Sequence, residues 1–325
     1  MYGVYAHTTS GDIVYTNGLM EYTSAVGIAI ATIIGLGGVM TYVTGLKWSG
    51  LGFALLITVL CYQYYFLINA FWTKSDIQRT DLNPNNSPNG TEQYYGDDFL
   101  MWVSDAAGEA IRTYGNTATG AFKMALTITI AFSAVIGRAG PLEILIFVLF
   151  GGALYELNRQ IIAQVNYDVG GSITIFMFGG IQGTIAALLL AFTRQKDDLV
   201  QRVNYTSSRF NSTLSMIGSA FFWVFYPCIM LDVPWIFETA ATNTGPFLGE
   251  NGMINAYWAI SSCVVTSIAF SAALHGRIRI KDLMYGTFAG AAIIGTSAVH
   301  IFNPIAAILL GMIAGLLQPI FNWAE

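Results

Sequence analysis

A chain of 325 residues that is 54% hydrophobic, only 10% charged and of mean hydropathy +0.56 belongs in a membrane, with several spans; a soluble domain carries about 25% charged residues. The net charge of −5 offers no basic surface, so no nucleic acid is expected as a partner. Cys61, Cys228 and Cys263 all fall inside apolar stretches, which implies no disulfide framework.

Taken in order, the first 22 residues hold no Lys or Arg and no apolar core. That pattern is unlike a cleavable signal peptide or an Arg-rich transit peptide. About 20 apolar residues cross a bilayer as a helix, and nine stretches qualify: 23–45, 51–72, 117–137, 142–163, 169–192, 212–231, 253–274, 283–302 and 304–323. The expected fold is therefore an all-α polytopic membrane protein of about nine transmembrane helices, with residues 1–325 forming a single membrane domain. Residues 73–116 are expected as a polar extramembrane insert between the second and third helices. Its core, Asp81-Leu-Asn-Pro-Asn-Asn-Ser-Pro-Asn-Gly-Thr, is turn chemistry. The flanking Tyr94, Tyr95, Phe99 and Trp102 place part of it at the interface. Asn85 and Asn89 head glycosylation sequons, which matter only on a secretory route.

Orientation follows from the cations. Lys47, Arg138, Arg194, Lys196, Arg202, Arg209, Arg277, Arg279 and Lys281 fall on one side; Lys74, Arg79, Arg112 and Arg159 fall on the other. Nine against four puts the N-terminus outside and the C-terminus inside.

The fifth stretch opens on an acid: Asp168-Val-Gly-Gly-Ser-Ile-Thr-Ile-Phe-Met-Phe-Gly179. A carboxylate at membrane depth is costly and points to function. At the interface the same residue simply caps the helix, where its charge suits the positive end of the dipole. Gly179, Gly180 and Gly183 on this helix, and the pairs Gly286/Gly290 and Gly311/Gly315 on the last two, allow close crossings within the bundle. There is no phosphate-binding glycine loop, no metal-spaced His/Cys cluster and no nucleophile–base constellation. No catalytic residue, metal or cofactor is expected, bound lipids apart, and the chain reads as a non-enzyme.

The words around Asp168 resemble the ammonium transporter/Rhesus (Rh) glycoprotein superfamily, whose Rh branch carries Asp-Ala-Gly-Gly-Ser-Met-Thr-Ile-His-Thr-Phe-Gly on its fifth core helix. The resemblance continues in Ala131-Phe-Ser-Ala-Val-Ile-Gly-Arg-Ala-Gly-Pro141 and Ser215-Met-Ile-Gly-Ser-Ala-Phe-Phe-Trp-Val-Phe-Tyr-Pro227. It is strongest in Cys263-Val-Val-Thr-Ser-Ile-Ala-Phe-Ser-Ala-Ala-Leu-His275, Thr287-Phe-Ala-Gly, Ile294-Gly-Thr-Ser-Ala and Pro304-Ile-Ala-Ala-Ile-Leu-Leu-Gly. It implies an inverted-repeat core with a solute path at the repeat interface near mid-membrane. In this family the path conducts ammonia, passing two gate phenylalanines and a pair of histidines.

The pore positions do not carry over. The first histidine falls on Phe176, and the second belongs to a tenth helix, whereas the chain stops at Glu325 after the ninth. One gate phenylalanine falls on Lys123, with Phe122 adjacent, and the other on Ile229; the acid expected after Gly-Thr-Ser-Ala is Val299. Lys123 either points inward, where it repels ammonium, or snorkels to the outer interface. His275 is expected in the inner loop and His300 at the end of the eighth helix. Asp168 alone is kept, in a supporting role. The resemblance thus implies a degenerate, C-terminally truncated Rh-like protein kept as a transport-inactive structural subunit of a larger membrane complex. Its expected partners are membrane lipids and other membrane-protein subunits covering the groove left by the missing tenth helix. The alternative is a channel for ammonia or another small neutral solute through a remodelled pore. An organelle membrane, such as the mitochondrial inner membrane, is expected ahead of the plasma membrane.

Overall fold

The computed structural model describes residues 7–9, 12–14, 18–42, 49–80, 115–136, 141–165, 168–193, 209–232 and 248–323. Within them every one of the nine apolar stretches is helical, but not to equal length. Seven helices are long and apolar enough to cross a membrane: Tyr22–Met40, Gly50–Asn69, Leu142–Ala163, Ser172–Phe192, Arg209–Leu231, Leu248–His275 and Pro304–Phe321. The third stretch is shorter in its apolar part, Ala118–Ser133. The eighth is a helix only over Ile280–Ile294, followed by a turn at 295–297 and a single 3₁₀ turn, Ala298–His300. The expected span 283–302 is therefore broken near its end. The second helix runs Ser49–Thr80, so residues 73–80 continue it rather than opening the insert. Residues 81–114, with the sequons and the aromatic flank, lie outside the described residues. One departure from an all-helical chain is a short antiparallel hairpin, His7–Thr9 with Asp12–Val14.

The fold meets the main demand of lipid, that backbone polar groups be bonded internally. Buried hydroxyls follow the same rule by bonding back to their own helix. Thr32 donates to Ile28 O at 2.8 Å, Thr58 to Ala54 O at 2.7 Å and Thr129 to Ala125 O at 2.7 Å. Between helices the attraction comes from close packing, because lipid chains are as apolar as leucine. The first and sixth helices cross closely. A Cβ added at Gly218 would stand 2.7 Å from Gly35 O and 2.8 Å from Val39 N. The first helix is also re-registered by a π segment, Ala31–Leu36, that faces this crossing.

Two apolar cores result. One gathers Ile57, Met124, Ile128, Phe132, Ile144 and Tyr155 between the second, third and fourth helices. The other is central and includes Ile28, Leu126, Ile175, Phe222, Tyr226, Ile229, Met230, Ala291 and Val299. It brings the first, third, fifth, sixth and eighth stretches together around the start of the fifth helix.

Candidate functional site

The fifth helix begins with a turn instead of a plain cap. The Gly171 N–H donates to Asp168 O at 3.3 Å, and Gly171 itself has φ of +76°, a left-handed value that glycine adopts without strain. The helix then enters through a π segment, Ser172–Met177, in which Ile175 N and Phe176 N both donate to Gly171 O, at 2.9 and 3.0 Å. The first N–H groups of any helix lack intrahelical partners, and Gly171 has no side chain to offer them. Asp168 supplies one from upstream. Its Oδ2 accepts from Ile173 N at 2.8 Å, Thr174 N at 2.6 Å and Thr174 Oγ1 at 3.0 Å.

The other carboxylate oxygen reaches across the bundle. Thr296 Oγ1 donates to Asp168 Oδ1 at 2.5 Å, Thr296 N to Ser172 Oγ at 3.0 Å, and Ser172 Oγ to Ala292 O at 2.5 Å. Gly170 N donates to Gly295 O at 3.1 Å. The Tyr226 hydroxyl lies 2.7 Å from Gly170 O, to which it donates, and 3.2 Å from Ala291 O. Asp168 thus bonds the start of the fifth helix to the break in the eighth, and Tyr226 ties both to the sixth.

Around this knot stand the positions expected to line a path. Phe176 is half-buried and meets the Tyr226 ring edge-on, with centroids 5.6 Å apart. Tyr226 stacks on Phe222 at 5.1 Å, and Phe222 meets Phe288 at 4.4 Å. Ile229 and Val299 are buried in the same cluster. These rings form one continuous aromatic stack from the fifth helix to the eighth. A cavity of about 180 Å³ does occur, but it is lined by Phe132, Val135, Phe147 and Leu190 among others, none of them in this stack.

Lys123 is held in a sheltered ion pair rather than snorkelling to the interface. Its side chain is 13% exposed, and Nζ donates to Asp232 Oδ2 at 2.8 Å and to Val169 O at 3.2 Å. Asp232 is itself only 21% exposed. Phe122 meets Tyr62, with ring centroids 5.3 Å apart, and also packs against the central core. His275 closes the seventh helix rather than sitting in a loop, its Nδ1 3.1 Å from Ser271 O, and exposed His300 ends the 3₁₀ turn. Among the described residues no three His, Cys, Asp or Glu side chains lie close enough to share a metal ion.

Three residues of the site escaped the sequence reading. Asp232 follows the apolar run directly and was legible as a lone charge at a helix end. Thr296 lies within the quoted Gly-Thr-Ser-Ala words. Tyr226 lies within the quoted Ser215–Pro227 words, with nothing local to mark its hydroxyl as a link between helices.

The described helices form a polytopic membrane bundle closed around an Asp-Val-Gly-Gly-Ser turn. A model of the Ammonium Transporter Family matches residues 13–322, and the chain belongs to that family, on its Rh-like branch. It is 26% identical over 303 residues to the ammonium transporter Rh type C of Sus scrofa, covering 92% of this chain and 56% of that protein. It is 26% identical over 301 residues to the ammonium transporter Rh type B of Mus musculus, covering 91% and 56%. The chain therefore spans about half the length of the relatives it matches. Among solved structures it resembles Nitrosomonas europaea Rh50, with a TM-score of 0.71 at 19% identity, over 92% of this chain and 69% of that one. Saccharomyces cerevisiae Mep2 follows the same fold, with a TM-score of 0.61 at 15% identity, over 92% and 64%.

Proposed function

We propose that this chain is an Rh-like membrane protein that does not conduct ammonia and acts as a structural, accessory subunit of a larger membrane complex, with no enzymatic role. The supporting observation is Phe176, a ring packed edge-on to Tyr226 where the family resemblance calls for a histidine. A neutral imidazole returns a hydrogen bond to a solute stripped of its water. A phenylalanine returns none, and burying an unpaired polar group costs roughly 2–7 kcal/mol. Asp168, bonded to two backbone N–H groups and two hydroxyls, serves on this reading as the acid that fixes the helix breaks.

The proposed partners are lipids and other membrane-protein subunits, since long rows such as Leu142, Ile146, Phe150 and Leu154 are exposed and apolar. The proposed orientation, N-terminus outside, is supported by the nine-to-four division of Lys and Arg. An organelle membrane belongs to the same proposal and is tested by fractionation against membrane markers.

The test is flux. The purified chain in liposomes, given an ammonium gradient, is expected to alkalinise its lumen no faster than empty liposomes. Faster alkalinisation that Phe176→Trp abolishes would overturn the non-conducting role. The second reading, a channel with a remodelled path, is favoured by the relatives, which are ammonium transporters of Rh type, and by Nitrosomonas europaea Rh50, of the Rhesus protein family of channels. The same assay separates the two, and co-purification in mild detergent identifies the complex.

A further inference from the structure

We infer that the turn joining the seventh and eighth helices, Gly276-Arg-Ile-Arg-Ile-Lys281, is a docking surface for the headgroup of an anionic phospholipid, met by Arg277 and Lys281 and anchored by Ile278. The turn alternates cations with isoleucines. It follows the seventh helix, a membrane span that ends at His275, and leads into the eighth, which starts at Ile280. Apolar surface continues into the turn itself, with Leu274 49% exposed and Ile278 65%. An isoleucine so bare beside an exposed guanidinium, at the end of a membrane span, suits the boundary where acyl chains meet phosphates.

The three cations of the turn are not equivalent. Arg279 is directed inward, where Nε donates to Asp282 Oδ2 at 2.8 Å and Nη2 to Asp282 Oδ1 at 3.1 Å; the Asp282 side chain is fully buried. Ser271 Oγ donates to the same carboxylate, and Ser267 Oγ to Asp282 O at 3.0 Å. This clamp holds the turn to the ends of both helices, and Gly276, at φ +66° with its N–H on Ala272 O at 2.9 Å, reverses the chain. With Arg279 neutralised by Asp282, the charge that the turn offers outward is that of Arg277 and Lys281. Arg277 is exposed, and Lys281 Nζ lies 5.9 Å from the centroid of the Tyr285 ring one helical turn on. The isoleucines decide between a lipid and a soluble anion: a free phosphate gains nothing from Ile278, whereas a phosphate that carries acyl chains covers it.

This rests on the proposal that lipids are partners of the chain and gives their class and place; flux plays no part in its test. The full chain is purified in mild detergent as wild type, Arg277→Gln, Lys281→Gln, the double variant Arg277→Gln/Lys281→Gln, Arg279→Gln and Arg209→Gln. Arg209 serves as the control, an exposed cation at the start of the sixth helix. Bound lipid is counted by native mass spectrometry as phosphatidylglycerol or phosphatidylcholine, with identical acyl chains, is titrated in. Arg277→Gln and Lys281→Gln are each expected to weaken phosphatidylglycerol binding about fivefold, and the double variant on the order of twentyfold, the share of a cation at an anionic surface. Phosphatidylcholine is expected to bind every variant alike. Arg279→Gln is expected to melt below wild type yet keep its affinity for phosphatidylglycerol, and Arg209→Gln to keep both. A double variant that holds phosphatidylglycerol as tightly as wild type, or a loss in Arg279→Gln or Arg209→Gln equal to that in Arg277→Gln, would overturn the assignment. So would displacement of the lipid by inorganic phosphate at the lipid's own concentration, which would make the turn a site for a soluble anion. If Arg279→Gln does not survive extraction, the comparison of Arg277→Gln with Arg209→Gln decides alone. Retention of neither lipid would reject lipid partnership as a whole; equal retention of both would reject only this turn.

Discussion

Replacing Asp168 with Ala removes one acceptor group from four donors at once: Ile173 N, Thr174 N, Thr174 Oγ1 and Thr296 Oγ1. The two N–H bonds amount to a helix cap, whose loss costs about 1 kcal/mol. Each hydroxyl left without its charged acceptor adds about 1 kcal/mol, for a total of about 3 kcal/mol. For a protein of this size that lowers the melting temperature by about 4 °C. Asp168→Asn keeps one acceptor oxygen for the backbone and lets Thr296 reverse its bond, so it is expected to cost about 1 kcal/mol. The cross-bundle contact is isolated by a double-mutant cycle with Thr296→Val, where a coupling of about 1 kcal/mol is expected. Intrinsic tryptophan fluorescence during heating in detergent reads all five proteins. A melting temperature for Asp168→Ala equal to wild type, or full additivity with Thr296→Val, would refute the account of Asp168 as a clasp. So would a change in ammonia flux at unchanged stability, which would move Asp168 from scaffold to path.

Tyr226→Phe keeps the ring stack with Phe176 and Phe222 but deletes the hydroxyl beside Gly170 O and Ala291 O, and it is expected to cost about 1–2 kcal/mol in the same melting assay; a neutral result would mean the hydroxyl is not holding the two breaks together. Gly218→Val forces side-chain atoms against the backbone of the first helix at Gly35 and Val39. Overpacking of this kind costs about 1–3 kcal/mol, and a variant as stable and monodisperse as wild type would show that the crossing is looser than described.

The membrane class, the nine helical stretches and the family frame around Asp168 were all legible in the chain. The reason is physical: transfer into lipid is a property of each side chain, summed over about 20 residues, and needs no knowledge of neighbours. The replacement of the expected histidine by Phe176 was equally plain, because it is a matter of identity at one position. Partnership was not legible. Lys123 meets Asp232 across 109 residues, and Asp168 meets Thr296 across 128; no local pattern announces either. Nor did hydropathy show that the eighth stretch breaks at Gly295, for Ala298, Val299, Ile301 and Phe302 beyond it are apolar while the backbone turns aside to bond Gly170 and Ser172. The π entry of the fifth helix and the closed ring stack arise in the same way, from which surfaces the bundle presses together. Composition determined that this protein lives in a bilayer, and the words around Asp168 carried the family resemblance; only the packing of helices decided that its lysine is paired, its acid is a clasp and its aromatic rings close on one another.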